Sequence, residues 1–292
     1  PRFTRSTGWR DHIPQPPDSG SQKDQPYEIQ PDKGGIAGYA LVLLWERTKD
    51  QGYLDQALHN ARVLTVNMRE GNAQQSPWPF RADYRTGLER GEVSGNMTFI
   101  LRLYDQLIEH GYKEFATPRE KLWAWIKEYQ IPSAAGDGKL WVQFFEDHDE
   151  LDNRTAWAPL TLARYLIERK DRLDPAWQKD ARTLIEFVNR NFITVRDGVA
   201  GCGEQDYDKN PWNGVLSTYG AVLGLYSAAT GSQEFRGVAR QALNYVLYAT
   251  DEKGCPGDGS FHNARVGWIE DAHTDKIHNF LDVLAVLPEW GR

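Results

Sequence analysis

A helical hairpin that returns about every 60 residues constrains this chain more than any other feature. Apolar residues recur at helical spacing over residues 33–50, 53–70, 94–110, 118–130, 153–170, 175–192, 213–230, 233–250 and 273–286. Trp45, Tyr104, Tyr165 and Tyr226 fall near the ends of the odd-numbered helices, and Tyr53, Phe115, Trp177 and Phe235 open the even-numbered ones. Each unit reads as helix, short turn, helix, long loop. One hairpin cannot bury its apolar face alone, so successive hairpins must pack side by side. The expected fold is all-α: an α/α toroid, either an incomplete ring or a small α/α barrel of about 4–5 hairpins. Residues 32–292 should form this single toroid domain. Residues 1–31, broken by Pro14, Pro16, Pro17, Pro26 and Pro31, read as an irregular N-terminal arm.

Local signals support these spans. Thr117-Pro118-Arg119-Glu120 reads as a capping box, Asp174-Pro175 and Ser232 as helix starts, and Gly52, Gly111 and Gly231 as stops. Turns within a hairpin are short, whereas the connectors 71–93, 131–152, 193–213 and 251–272 are long. Structureless loops beyond about 12–15 residues are uncommon unless functional. Because the helices alternate in direction, all four connectors should emerge on one rim. Each holds a short β-like run, at 78–81, 140–145, 199–203 and 260–266.

Composition narrows the function classes. The chain has 292 residues, 40% apolar and 26% charged, with no apolar run near the ~20 residues that span a bilayer. A soluble protein without a membrane partner is expected. A net charge of -7 with no basic block argues against a nucleic-acid partner. The first residue is Pro1, which fits removal of a signal peptide, a propeptide or an upstream segment, and a secreted or periplasmic location. Cys202 and Cys255 sit in successive connectors, where a disulfide and two inert thiols are equally open readings.

Candidate chemistry gathers in the connectors. Trp78, Phe80, Tyr84, Trp141, Phe144, Phe145, Tyr207, Trp212, Phe261 and Trp268 read as stacking platforms for sugar rings, against the plainer reading that they plug the loops. His273-Thr274-Asp275-Lys276-Ile277-His278-Asn279 places Asp275 and His278 on one helical face, where the carboxylate would orient a general base or acid; plain packing is the alternative. Carboxylates crowd Glu146-Asp147-His148-Asp149-Glu150 and Gly203-Glu204-Gln205-Asp206-Tyr207-Asp208. Glycoside hydrolysis needs two carboxyls about 5–9.5 Å apart, and facing loops would supply them; a solvated acidic loop or a calcium site would use the same letters. Asn96, Asn153, Arg154, Trp157, Asn213, Ser217, Thr218 and Tyr219 stand at helix entries, where helix N-termini and Arg81, Arg154, Arg265 and Lys276 would favour anionic groups such as uronates. Cys202 and Cys255 with His262 or His273 would make a catalytic zinc set, but no CxxC or HxxxH spacing supports it.

The hairpin repeat, the one-sided loops and the aromatic rim resemble the six-hairpin (α/α toroid) glycosidases and polysaccharide lyases over about residues 33–290. Terpenoid cyclases share the toroid, but no DDxxD-like or DxDD-like run occurs; lanthionine cyclases use the zinc triad, but Cys255 is followed by Pro256-Gly257. The resemblance implies a carbohydrate-active enzyme that cleaves glycosidic bonds of an oligo- or polysaccharide, uronate-containing ones included, without a cofactor. Hydrolysis is favoured over β-elimination, with a non-catalytic binding toroid as the further alternative. On this reading His278, Asp275, His273, Glu204, Asp206 and Tyr219 are the catalytic candidates. Trp78, Arg81, Asn96, Trp141, Arg154, Trp157, Trp212, His262 and Trp268 would hold the substrate.

Overall fold

A computed structural model describes residues 28–83, 85–144, 152–196, 198–248 and 269–291. The chain divides into two compact units, Pro1–Asn153 and Arg154–Arg292.

In the first unit β1 (Glu28–Ile29) leads into α1 (Pro31–Thr48) and α2 (Gln51–Val66). Then follow β2 (Arg81–Asp83), β3 (Glu89–Arg90), α3 (Thr98–Glu109) and α4 (Ala116–Trp125). A π-helical turn, Ile126–Gln130, carries α4 into α5 (Ile131–Ala135). The three strands form one antiparallel sheet in the order β1-β2-β3, with Ile29 opposite Ala82 and Ala82 opposite Glu89. α1 pairs with α2 and also lies against α3. Gly35 of α1 faces Ile100 of α3 and Gly38 faces Leu103, so the contact advances in the same sense along both helices and they run parallel. Their N-terminal ends therefore share one side. There the 67–97 connector meets both β1 and the 140–143 segment: Gly95 N–H donates to Val142 O at 3.1 Å, and Gln130 Nε2 donates to Gly95 O at 2.7 Å.

The second unit contains α6 (Trp157–Arg169), α7 (Trp177–Phe192), β4 (Ile193–Arg196), β5 (Val199–Cys202), α8 (Asn213–Thr230), α9 (Arg236–Tyr248) and α10 (Ile269–Val286). α6 pairs with α7 and α8 with α9, while α8 lies between α6 and α10. α8 is buried almost throughout, as a helix apolar on all sides must be. Asn279 of α10 bonds Ser217 and Thr218, and Val283 packs against Ala221 and Gly224, so α8 and α10 also run parallel. The 193–212 connector returns to the N-terminal end of α6: Thr155 pairs with Gln205, and Ala156 N–H donates to Glu204 O at 2.9 Å. Among the described residues, then, connectors of the first unit gather at the N-terminal ends of α1 and α3, and the 193–212 connector of the second meets the N-terminal ends of α6 and α8.

The repeated aromatics explain the hairpins. Tyr104 stacks on Phe115 at 5.7 Å and Tyr226 meets Phe235 edge-on at 5.8 Å, tying the end of one helix to the start of the next. Gly111 and Gly231 take left-handed backbone at the ends of α3 and α8, as expected. Three local expectations are corrected. Lys49 (φ 62°), not Gly52, ends α1, and Gly52 lies inside α2. α4 begins at Ala116, because a 3-10 turn, Lys113–Phe115, runs straight into it; Thr117 therefore lies inside the helix and caps nothing. The connector expected from 131 starts later, since the π-helical turn Ile126–Gln130 runs on into α5, which contains Pro132. Of the β-like runs, 78–81 contributes only Arg81 to β2, 199–203 becomes β5, 140–144 forms no strand, and 260–266 lies outside the described residues. No described helix is long and apolar enough to cross a membrane.

Candidate functional site

Glu204 and Asp206 sit two residues apart in the 203–212 loop, yet their surroundings differ sharply. The loop doubles back at Gly203, where an added Cβ would meet the Lys209 backbone at 3.0 Å. This turn brings Glu204 to the first residue of α6, and Trp157 Nε1–H donates to its carboxylate at 2.6 Å. The bond is short because the acceptor is a carboxylate, and it fixes that carboxylate's orientation. Both side chains are half-buried. Asp208 is held similarly by a longer bond from Trp212 Nε1 at 3.3 Å. The loop thus carries two carboxylates, each tethered by an indole N–H.

Asp206 is instead locked to a cation. Arg154 grips it with Nε at 2.6 Å and Nη2 at 3.2 Å, and Lys209 Nζ lies at 3.3 Å. Burial alone would raise its pKa, but the Arg154 hydrogen bond and charge, joined by Lys209, hold the carboxyl below its ordinary value. A carboxylate so held is a poor proton donor, and Arg154 has its charge already met. The same pair makes a pH prediction. A pKa depressed by folding stabilises the protein above the ordinary value of about 4 and loses that contribution as pH falls through the depressed value. Asp206→Asn should therefore cost about 1–3 kcal/mol at neutral pH. Paired urea melts of the two proteins should converge as the pH drops below about 4; a gap independent of pH would refute the assignment.

Tyr219 and Cys202 lie beneath the loop and are chemically quiet. Burial, with a smaller contribution from Cys202, raises the Tyr219 pKa and keeps the phenol protonated, and its hydroxyl donates to Asn189 Oδ1 at 2.8 Å. Burial and then the Glu204 charge raise the Cys202 thiol, which rests against Gly203 O. Such a thiol is inert as nucleophile or ligand. Cys255, His262 and Trp268 lie outside the described residues, and His273 falls on α10 without a described side chain. No group of three or more metal-binding side chains occurs among the described residues.

On α10 the residues singled out and the residues turned inward are different ones. Asp275 and His278 are exposed, whereas Lys276 and Asn279 are 2% exposed and face inward. Asn279 is a hub: Arg164 Nη1 donates to its Oδ1 at 2.8 Å, and its Nδ2 donates to Ser217 Oγ at 3.0 Å and Thr218 Oγ1 at 3.1 Å. Arg164 also pairs with Asp282 and Glu168. Three helices are joined through one amide. Val283, one turn beyond, and Leu287 after it mark this as the inward stripe, a signal the sequence carried at helical spacing.

In the first unit Asp32 is a buried carboxylate that sequence reasoning missed. It is 2% exposed in the first turn of α1, accepts the Lys33 N–H at 2.9 Å, and receives Asn96 Nδ2 at 3.2 Å. Arg81 is likewise buried, its guanidinium 4.8 Å from the Phe80 ring centre. Trp78 and Trp141 have no exposed surface, and Trp78 Nε1 donates to Leu64 O at 2.9 Å. These two rings are buried with Phe80 and Ala82 in one connector and with Leu140, Val142 and Phe144 in the other, so they fill the loops rather than offer a platform to solvent. Half-buried Trp157 and Trp212 remain as rings at the loop surface.

No family model and no curated protein matches the chain. Solved structures do. A sugar epimerase from a ruminal bacterium superposes with a TM-score of 0.65 at 14% identity, covering 88% of this chain and 72% of the epimerase. An unsaturated glucuronyl hydrolase from Bacillus sp. GL1, responsible for glycosaminoglycan degradation, gives 0.58 at 14%, covering 89% and 70%. A D-mannose isomerase gives 0.63 at 12%, covering 98% and 84%. At such identities the likeness shows the fold alone: this chain is an α/α toroid with little strand.

Proposed function

We propose that the chain is a carbohydrate-processing enzyme in which Glu204 transfers the proton and Trp157 orients both Glu204 and the sugar. The observation that carries this reading is the 2.6 Å bond from the Trp157 indole to the Glu204 carboxylate. A half-buried ring offers an apolar face to a pyranose, and Glu204, once protonated on the carboxyl oxygen that the indole does not hold, would pass that proton to the ring or leaving-group oxygen and be left as the carboxylate. The three structural neighbours, all named for acting on sugars, support the substrate class.

Within that class we favour hydrolysis. Elimination beside a uronate needs a strong base and a cation for the carboxylate. In the second unit Tyr219 is kept protonated and bonded to Asn189, and Arg154 is engaged by Asp206. Hydrolysis needs a proton donor and a second carboxylate, and Asp208, held by Trp212, is our choice for the latter. A panel of neutral and uronate-containing oligosaccharides tests this. New reducing ends without an ultraviolet enone-like band are expected. The band would mean elimination, rearranged free sugars without new ends would mean isomerisation, and no turnover of any member would sink the enzymatic reading.

A further inference from the structure

We infer that the first unit carries a second carbohydrate-binding site, for a neutral oligosaccharide, in a groove between the end of α2 and α4. The groove encloses about 400 Å3, within the usual range of ligand sites. Trp125 of α4, Tyr129 of the π-helical turn, and Met68 and Pro77 of the connector provide its apolar lining. The π-helical turn Ile126–Gln130 carries Tyr129. Such turns are rare and frequently mark functional sites.

The lining is built rather than incidental. Trp125 Nε1 donates to Asn72 O at 3.1 Å, and a Cβ on Gly71 would lie 2.2 Å from the indole, so only glycine lets the connector close on this ring. Arg69 ties the connector together through Glu89 at 2.7 Å and Ser76 O at 2.9 Å.

Charge selects the class of ligand. Of the groove's cations, Arg69 is paired with Glu89 and Glu92 and Lys121 reaches Glu70 at 3.1 Å, so neither charge is left uncompensated for an acidic ligand, and Glu128 adds a further carboxylate to the lining. Such a lining offers donors and acceptors to hydroxyl groups but no uncompensated positive charge to offset desolvation of an acidic sugar. Aromatic rings with mixed polar neighbours suit the two faces of a neutral pyranose. The groove is lined by the first unit alone and Glu204 belongs to the second, so the two readings are tested by separate residues.

Methionine makes the test clean, because the chain has only Met68 in the groove and Met97, which is fully buried. Protein labelled with 13C at the methionine methyls would be titrated with cellotetraose, maltotetraose, mannotetraose and tetragalacturonate. The Met68 signal should shift saturably with at least one neutral tetrasaccharide and not with tetragalacturonate, while Met97 stays still. Ala124→Trp, at an exposed lining position, should abolish the shift. Tyr129→Ala should weaken binding about tenfold. An unchanged Met97 signal reports an intact fold in both variants. Glu204→Gln should bind normally. No Met68 response to any neutral sugar, an equal response to tetragalacturonate, or an undiminished response in Ala124→Trp would overturn the proposal.

Discussion

Glu204→Gln should lower kcat by about 10²–10⁴-fold on whichever oligosaccharide the wild-type protein turns over. The amide keeps the shape of the side chain and can still accept the Trp157 hydrogen bond through its oxygen, so KM should change little. What is lost is the proton. Loss in kcat with KM held marks an interaction made in the transition state rather than in binding. Trp157→Phe tests the other half of the pair: the ring remains, but the donor to Glu204 is gone. Its effect should be smaller, about tenfold, because one hydrogen bond to a charged group contributes roughly 1.5–3 kcal/mol and only part of that is specific to the transition state. Asp206→Asn should behave differently from both, lowering stability through the Arg154 pair while sparing turnover in the fraction that is folded. Full activity in Glu204→Gln would remove this residue from the mechanism, and a kinetic defect in Asp206→Asn equal to that of Glu204→Gln would reverse the roles assigned here.

The helical hairpins were legible because their physical causes are local. Tyr104 with Phe115 and Tyr226 with Phe235 recur at the same place in the repeat because each pair closes a hairpin turn, so their spacing in the sequence is the spacing of the fold. Which face of α10 turns inward was not legible, for an equally physical reason. Asp275 and His278 are the residues with the more familiar chemistry, but the inward face of a helix is chosen by its apolar stripe, and Val283 and Leu287 turn Lys276 and Asn279 inward instead. Counting aromatics in loops likewise could not separate a ring that plugs from one that is displayed. Trp78 and Trp212 look alike in sequence; one is fully buried and bonds the Leu64 carbonyl, and the other is half-buried and bonds the Asp208 carboxylate. Asp32 was hidden because an acidic residue in the first turn of a helix has an ordinary explanation in the helix dipole. Only the fold reveals that it is buried and bonded to Asn96.

Gly35→Ala should destabilise the protein by about 1–3 kcal/mol, the cost of forcing an extra methyl into a packed core. The sign is not what helix propensity alone predicts, since replacing glycine by alanine inside a helix is worth up to about 1 kcal/mol in the opposite direction. Gly35 lies within α1, and a Cβ there would stand 2.7 Å from Ile100 Cγ1, 2.8 Å from the Ile100 backbone nitrogen and 3.0 Å from its Cα. Two of those atoms belong to the α3 backbone, which has no rotamer to yield. Gly38, one turn on, meets Leu103 Cδ2 at 2.6 Å, a side-chain tip that moves more cheaply, so Gly38→Ala should cost less. Gly237 supplies the control. It lies exposed in the first turn of α9 with nothing within 4 Å of its added Cβ, so Gly237→Ala should be neutral or stabilising by up to about 1 kcal/mol. Thermal melts of the three single variants, run beside the parent protein, should rank Gly237→Ala highest, then Gly38→Ala, then Gly35→Ala. If Gly35→Ala melts at or above the parent, α1 and α3 do not approach as closely as described, and the parallel arrangement that brings the first unit's connectors to one end loses its main support.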